Sequence, residues 1–393
     1  MTQPVHAIAP EQMTSLLLCA RPHVDQDAAT QLEALAGSGP DWEALLRLAA
    51  DHSLTPIVCK NLQAHTGDAL AGPWRQRFRD EFIRISCRNL ALSAELLRVL
   101  EALESRGVKA TSYKGPVLAA QAYGDVGLRE FADLDIILSQ AEIAAAHAAL
   151  VELGYRSLLA GVENPDSFRH IPGQYAYSKD TETMVELHTE RTLRYFPRGL
   201  DLRELCARRE LVSVAGRPMP AFSLEDTLLL LCVHGSKHIW ERLGWTADIA
   251  ALMNAWRPRP VNWEFVLERA QKSGIQRMLL LGVGLAAQLF HARLTNELSD
   301  CLQRDAVARR LIAAITQRFF SATQAQLGVF GRFAFRVRMR GSLIAGLPYA
   351  IRLALTPTEL DRGRHAHFLE PLYALRRPLR LARTYGWRSH AGR

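Results

Sequence analysis

The chain contains no CxxC pair, no internal repeat and no low-complexity linker. It also lacks any apolar run of the roughly 18–20 residues that a membrane-spanning helix needs. Its six cysteines (Cys19, Cys59, Cys87, Cys206, Cys232 and Cys301) are scattered. That spacing argues against a disulfide framework or zinc knuckle and for buried free thiols. The opening stretch, MTQPVHAIAPEQMTSLLLCA, has no positively charged start and a short apolar run, unlike a secretory signal. It reads as the entry to a helix, and a cytoplasmic protein without a membrane span is expected. With 48% hydrophobic and 22% charged residues, the chain has the balance of one that folds around apolar cores. At 393 residues it exceeds a single compact core, so two or three domains are expected.

Excess positive charge is confined to the C-terminal end. The formal net charge is +8, yet residues 331–393 hold thirteen Arg, no Lys and three acids (Glu359, Asp361, Glu370). The tail thus carries all of the excess and the remainder is nearly neutral. Such a tail fits an anionic partner, whether nucleic acid, phosphate-rich substrate or membrane surface. It equally fits arginines on solvated helix faces, because they alternate with Leu, Phe and Tyr at near-helical spacing.

Hydrophobic periodicity divides the chain into three parts. Residues 1–105 read as an N-terminal helical region. Trp42, Leu45, Leu46 and Leu48 mark one helix; Phe78, Phe82, Ile85, Leu90, Leu92, Leu96, Leu97 and Leu100 keep near a 3.6 period through another. Residues 106–220 change period: strand-like Val108–Tyr113, a turn at Lys114-Gly115, a helix to about Tyr123, a strand over Leu134–Leu138, an Ala-rich helix, and strands near Gln174–Ser178 and Thr183–His188 around the turn Lys179-Asp180-Thr181. Residues 221–393 turn helical again, with Ser223 and Asp226 as a capping pair, and end in the basic tail. The fold class is therefore α+β: a small mixed-sheet core flanked by N-terminal and C-terminal helical regions.

The chemistry-bearing stretch is KGPVLAAQAYGDVGLREFADLDIIL. Side chains at i and i+2 of a strand share a face, so Asp133 and Asp135 project together. Carboxylates this close repel unless a cation or proton sits between them, and Mg²⁺ or Mn²⁺ suits a few carboxylates plus substrate phosphates. On the later strand, TETMVELHTE, Glu186 and His188 share a face with Met184, while Val185 and Leu187 turn to the core. Glu186 would complete the three carboxylates that two-metal nucleotidyl transfer uses, or else be an exposed strand acid. His188 reads as a cofactor contact or a structural hydrogen-bonding histidine.

These residues resemble the uncharacterised nucleotidyltransferase family of the polymerase-β-like superfamily. The matching positions are Lys114-Gly115, Tyr123, Arg129, Asp133-Leu134-Asp135 and Glu186-Leu187-His188. A second block is His234, Lys237, His238, Trp240, Leu243, Trp245 and Asp248. A third is Thr356-Pro357-Thr358, the run Leu372–Leu381, and Tyr385-Gly386. The resemblance implies a nucleotidyltransferase fold, Mg²⁺ or Mn²⁺, and a nucleoside triphosphate (NTP) as substrate. It leaves open the acceptor (small molecule, protein or RNA), the choice of NTP and the oligomeric state. Where the wider superfamily carries Gly-Ser before its first core helix, this chain has Lys114-Gly115. Gly115 still lets backbone N–H groups approach a phosphate, and Lys114 replaces a hydroxyl contact with a charge.

On the expected reading, Asp133, Asp135 and Glu186 hold metal, with Glu186 as the alternative general base. Lys114 and Gly115 hold phosphates, with Arg129 and Lys237 as supporting cations. His234 and His238 lie one turn apart beside Lys237. They fit a zinc pair lacking a third ligand, a helix face lining the site, or ordinary packing. Trp240 and Trp245 read as packing, and Asp248 as a histidine partner or a helix cap. Two other functions fit the same residues: a nucleotide-binding accessory protein without turnover, and an RNA-modifying terminal nucleotidyltransferase that uses the basic tail.

Overall fold

A computed structural model of the chain describes residues 9–158, 173–179, 183–189, 201–253, 260–321, 327–341, 343–355 and 383. The Thr356-Pro357-Thr358 block, the 372–381 run, Tyr385-Gly386 and much of the Arg-rich tail lie outside these residues, as do Asp180 and Thr181 of the expected turn.

Five helices open the chain: α1 (Pro10–Cys19), α2 (Gln26–Gly37), α3 (Trp42–Asp51), α4 (Thr55–His65) and α5 (Gly72–Ser105). Asp25 and Asp41 start α2 and α3 by accepting the backbone N–H groups of Ala28 and Ala44, donors that the first turn leaves unpaired. At 34 residues, α5 is about 51 Å long. Its first half sends Phe78 into one apolar core, and its second half sends Leu92, Leu96, Val99 and Leu103 into another.

The middle of the chain runs β1 (Thr111–Ser112), α6 (Gly115–Tyr123), β2 (Asp133–Ile137), α7 (Ile143–Glu152), β3 (Arg156–Ser157), β4 (Gln174–Ser178), β5 (Met184–His188), α8 (Leu202–Ala207), β6 (Glu210–Val214) and β7 (Arg217–Ala221). The seven strands form one mixed sheet in the order β3-β4-β5-β2-β1-β7-β6. β2 pairs with β5, and β1 with β7, in parallel; the other neighbours are antiparallel. The strand expected over Val108–Tyr113 is only two residues long.

The β6–β7 hairpin has no strong signal in the sequence, because Pro218 and Pro220 argue against a strand. Both prolines occupy the same parity of β7, so the missing N–H groups fall on one side of the ladder. The connecting Ala215 and Gly216 have φ of 49° and 81°, the left-handed pair that a tight hairpin turn requires.

Helices then complete the chain: α9 (Leu224–Lys237), α10 (Leu243–Met253), α11 (Trp263–Lys272), α12 (Gln276–Phe290), α13 (Asn296–Arg304), α14 (Ala306–Phe319), α15 (Val329–Arg338) and α16 (Leu343–Leu355). Ser223 caps α9 through the Asp226 N–H, as its spacing predicts. Leu16 of α1, Leu62 of α4, Leu228 of α9 and Leu281 of α12 belong to a single core, so the N-terminal and C-terminal helices pack together. No helix among the described residues is long and apolar enough to cross a membrane.

The sheet has two unlike faces. Leu134, Ile136, Val185 and Leu187 are buried with the second half of α5 and with α7. The opposite face carries Asp133, Asp135, Glu186 and His188, and there Ile137 joins the helical core. Polar groups are thus held between sheet and helices.

Candidate active site

Period-2 alternation on β2 aims Asp133 and Asp135 at one cavity. It measures about 390 Å³, with Lys114, Arg129, His234 and Asp248 also in its walls. Across the parallel β2–β5 pair, Asp135 lies opposite Glu186 and Ile137 opposite His188. His188 Nε2 is 2.8 Å from Asp135 Oδ1 and 3.4 Å from Glu186 Oε2. Gln174 of β4 donates to Glu186 Oε2 at 2.8 Å. Tyr113 meets the His188 ring edge to face at 5.6 Å.

Among the described residues, one set of three side chains converges as metal ligands do. It is Asp135, Glu186 and His188, whose ligand atoms all lie within 4.8 Å of one another. His188 is two residues along β5 from Glu186 and leans onto Asp135, while Asp133 shares the β2 face with Asp135 and feels its charge and that of Glu186. Two carboxylates and an imidazole suit a divalent ion, Mn²⁺ better than Mg²⁺ where nitrogen ligates.

Electrostatics follow from burial and neighbours. Burial and the Asp135 charge push the Asp133 carboxyl above its ordinary pKa. Burial opposes the charge of Asp135 too, but Lys114 and His188 outweigh it and hold that carboxyl below the usual range. Burial likewise opposes a charged His188, and hydrogen bonds to Asp135 and Glu186 more than offset it, raising its pKa.

Lys114 caps the start of α6, and its Nζ lies 3.2 Å from Asp135 Oδ1. Gly115 follows with φ +54°, and a Cβ there would sit 3.3 Å from the Asp133 carbonyl oxygen. A left-handed conformation and a close backbone approach both call for glycine. The turn brings the α6 N-terminus against the strand that carries the acids.

Arg129 lines the cavity with its Nε held by an acid. Its Nε sits 3.0 Å from both Asp248 oxygens, and Tyr123 Oη donates to Asp248 at 3.0 Å. Asp248 lies within α10, so it is neither a histidine partner nor a cap in its described contacts. Asn89 of α5 donates to the carbonyls of Val126 and Arg129, pinning the loop that delivers the guanidinium. Three positions from two separate sequence blocks thus form one buried network.

The His234 and His238 rings lie 4.7 Å apart between centroids with their planes tilted by 47°, and Trp245 contacts both rings at 5.2 and 5.3 Å. Burial, then nearby cations, holds both imidazoles well below their ordinary pKa. His234 and Trp245 line the cavity; His238, Lys237, Glu186 and His188 do not. Trp240 is fully buried, as packing predicts. It folds back on α9, where a Cβ on Gly235 would come within 2.5 Å of its ring. The fold-back needs positive φ at Ile239 and Trp240, 59° and 51°, a costly conformation for such residues. Arg318 of α14 donates to both carbonyls, at 2.5 and 3.2 Å.

Sequence reasoning missed the remaining walls. Ser53, Leu54 and Ile57 at the α3–α4 elbow, with Arg88, Glu130 and Arg242, complete the cavity. Ser53 has φ +57°, and nothing in its sequence context marks it.

Two solved structures are similar to the chain. One is the antibiotic-resistance factor ANT(2'')-Ia in solution: 14% identity over 58% of this chain and 92% of that one, TM-score 0.28. The other is an antigenic nucleotidyltransferase-like protein from Paracoccidioides brasiliensis: 14% identity over 55% of this chain and 92% of that one, TM-score 0.35. No curated protein matches. A family model described as uncharacterised nucleotidyltransferase matches residues 38–291, well over half of the chain and all of the site residues above. The chain belongs to this uncharacterised nucleotidyltransferase family.

Proposed function

We propose that the protein transfers a nucleoside monophosphate from an NTP to an acceptor hydroxyl, phosphate or amine, assisted by a divalent metal. The observation that carries this reading is the pairing of Asp135 with Glu186 in parallel register beside a cavity of nucleotide size. Asp133 and Asp135 would hold the ion that grips the triphosphate, and Asp135 with Glu186 and His188 would hold a second ion beside it. A bound Mg²⁺ or Mn²⁺ would neutralise phosphate charge and lower the pKa of the attacking group. Glu186 would serve the ion next to the acceptor or take the acceptor's proton. Gly115 and the α6 N-terminus offer backbone N–H groups to phosphate oxygens, with Lys114 beside them.

Arg129 supports the site by bracing α10 against the core, since Asp248 takes its Nε. Lys237 lies beyond the cavity lining, and an outer phosphate or acceptor contact is the role left to it. The chain would divide at 105 and 220 into an N-terminal helical region, a nucleotidyltransferase core and a C-terminal helical domain with a basic tail, and the cavity draws walls from all three parts. Incubating the purified protein with α-labelled NTPs, Mg²⁺ or Mn²⁺ and cell extract tests the reading. Label transferred to an acceptor with release of pyrophosphate is the expected result. Tight NTP binding with no transfer under any condition would favour the accessory-protein reading instead.

A further inference from the structure

Lys114 occupies a position that a metal ion contests. Its Nζ is 3.2 Å from Asp135 Oδ1, and the same oxygen receives His188 Nε2 at 2.8 Å. The other flank of the ammonium is the Tyr113 ring, 4.8 Å from centroid to Nζ. The Lys114 side chain is 14% exposed and that of Asp135 3%, so water does little to screen the pair. A divalent ion on the Asp135 carboxylate would stand within a few ångströms of this ammonium, and two cations so close in a buried site repel strongly. Of the three cations expected to hold phosphate, Lys237 does not line the cavity, and Arg129 lines it with its Nε held by Asp248. Lys114 also lines it, on a flexible four-carbon stem.

We propose that Lys114 is a resident counter-ion of the carboxylate site: a divalent metal entering at Asp135 displaces its ammonium, which turns into the cavity and pairs with a phosphate of the nucleotide. This rests on the metal-and-nucleotide reading above. Without metal, the ammonium balances charge that would otherwise be buried and unpaired. Metal alone binds weakly because it must evict a cation that has no new partner. Metal with triphosphate binds well because the evicted cation gains an anion. Lys114 therefore couples metal entry to nucleotide entry. Burial opposes the Lys114 charge, but Asp135, Tyr113 and Asp133 more than offset it and raise its pKa, so the group that moves is an ammonium ion.

The test compares wild type with Lys114→Met and Lys114→Arg. Mn²⁺ is titrated alone and with a non-hydrolysable triphosphate, and free Mn²⁺ is read by electron paramagnetic resonance. Lys114→Met is expected to bind Mn²⁺ alone about tenfold tighter or more, because the competing charge is gone. The same variant binds the Mn²⁺–triphosphate complex more weakly, and Lys114→Arg stays near wild type for Mn²⁺ alone. In wild type, the Nζ resonance assigned to Lys114 shifts when Mg²⁺ and triphosphate are added. Equal Mn²⁺ affinity in wild type and Lys114→Met overturns the proposal and makes the pair a permanent structural bridge. If Lys114→Met does not fold, the wild-type resonance decides, and an unmoved Nζ signal at saturating Mg²⁺–triphosphate overturns it. Absence of Mn²⁺ binding in every protein, with or without triphosphate, overturns the metal reading beneath it as well.

Discussion

Asp135 on β2 and Glu186 on β5 are register partners in a parallel strand pair, so two distant carboxylates occupy adjacent positions on one sheet face. A patch of like charge at the edge of a cavity attracts cations, and each prediction below probes what answers that charge.

Asp133 and Asp135 should behave differently when truncated. Both variants are expected to lose Mg²⁺-dependent triphosphate binding, measured by isothermal titration. Asp133→Ala breaks no ion pair among the described residues, and its thermal midpoint should stay near wild type. Asp135→Ala leaves Lys114 and His188 without their shared acceptor and should cost about 3–5 kcal/mol, the scale for stranding a buried charge. Unchanged triphosphate affinity in both variants would remove the central functional claim.

Glu186→Gln keeps shape and removes charge. Mg²⁺–triphosphate affinity should stay within a few-fold of wild type, while turnover falls by roughly 10²-fold or more, the scale of lost general-base assistance. Pyrophosphate release, followed once an acceptor is in hand, gives the number. Wild-type turnover would make Glu186 a bystander that orders Gln174.

The Arg129–Asp248–Tyr123 network should be structural first. Arg129→Met strands the Asp248 carboxylate, whose side chain is 4% exposed, and should destabilise by about 3 kcal/mol in urea unfolding. The double variant Arg129→Met with Asp248→Leu should recover most of that loss, since replacing both partners of a buried pair by apolar groups is often near neutral. No recovery in the double variant would point to a direct role for Arg129 in binding substrate.

Acid should loosen the α3–α4 elbow. Burial, then the Arg242 charge, pulls His52 down to about 4, and burial holds His234 and His238 well below their ordinary pKa. The unfolded chain takes up protons near pH 6.5 that the folded chain refuses, so stability is full above that pH and falls as pH drops. His52 alone should account for a loss on the order of 3 kcal/mol between pH 6.5 and 4. Chemical denaturation of wild type and His52→Asn across that window measures it. A pH slope that is equally steep in the variant would assign the effect to the other histidines.

The acids on β2 were readable because strand side chains alternate faces, which the run Asp133-Leu134-Asp135-Ile136 spells out. The 3.6 period of α5 and the Ser223 cap were readable for the same local reason. Other features were hidden. β7 was masked by Pro218 and Pro220, which fit only because both fall on one side of its ladder. Asp248 had two candidate roles and took a third, because its partners Tyr123 and Arg129 arrive from a different part of the chain. Ser53 reaches the cavity from the N-terminal helices with no motif around it.

By itself, then, the sequence determined local matters: which residues alternate on a strand, which helices carry an apolar stripe, and where a glycine must take a left-handed turn. Those depend on the backbone within a few residues. The tertiary structure decided which charges meet. Register across β2 and β5 put His188 against Asp135 and Glu186, beside Asp133, and the α6 turn set Lys114 on the same Asp135 oxygen. Register and docking arise from pairing distant segments around two shared cores, and no window of sequence contains both halves of such a contact.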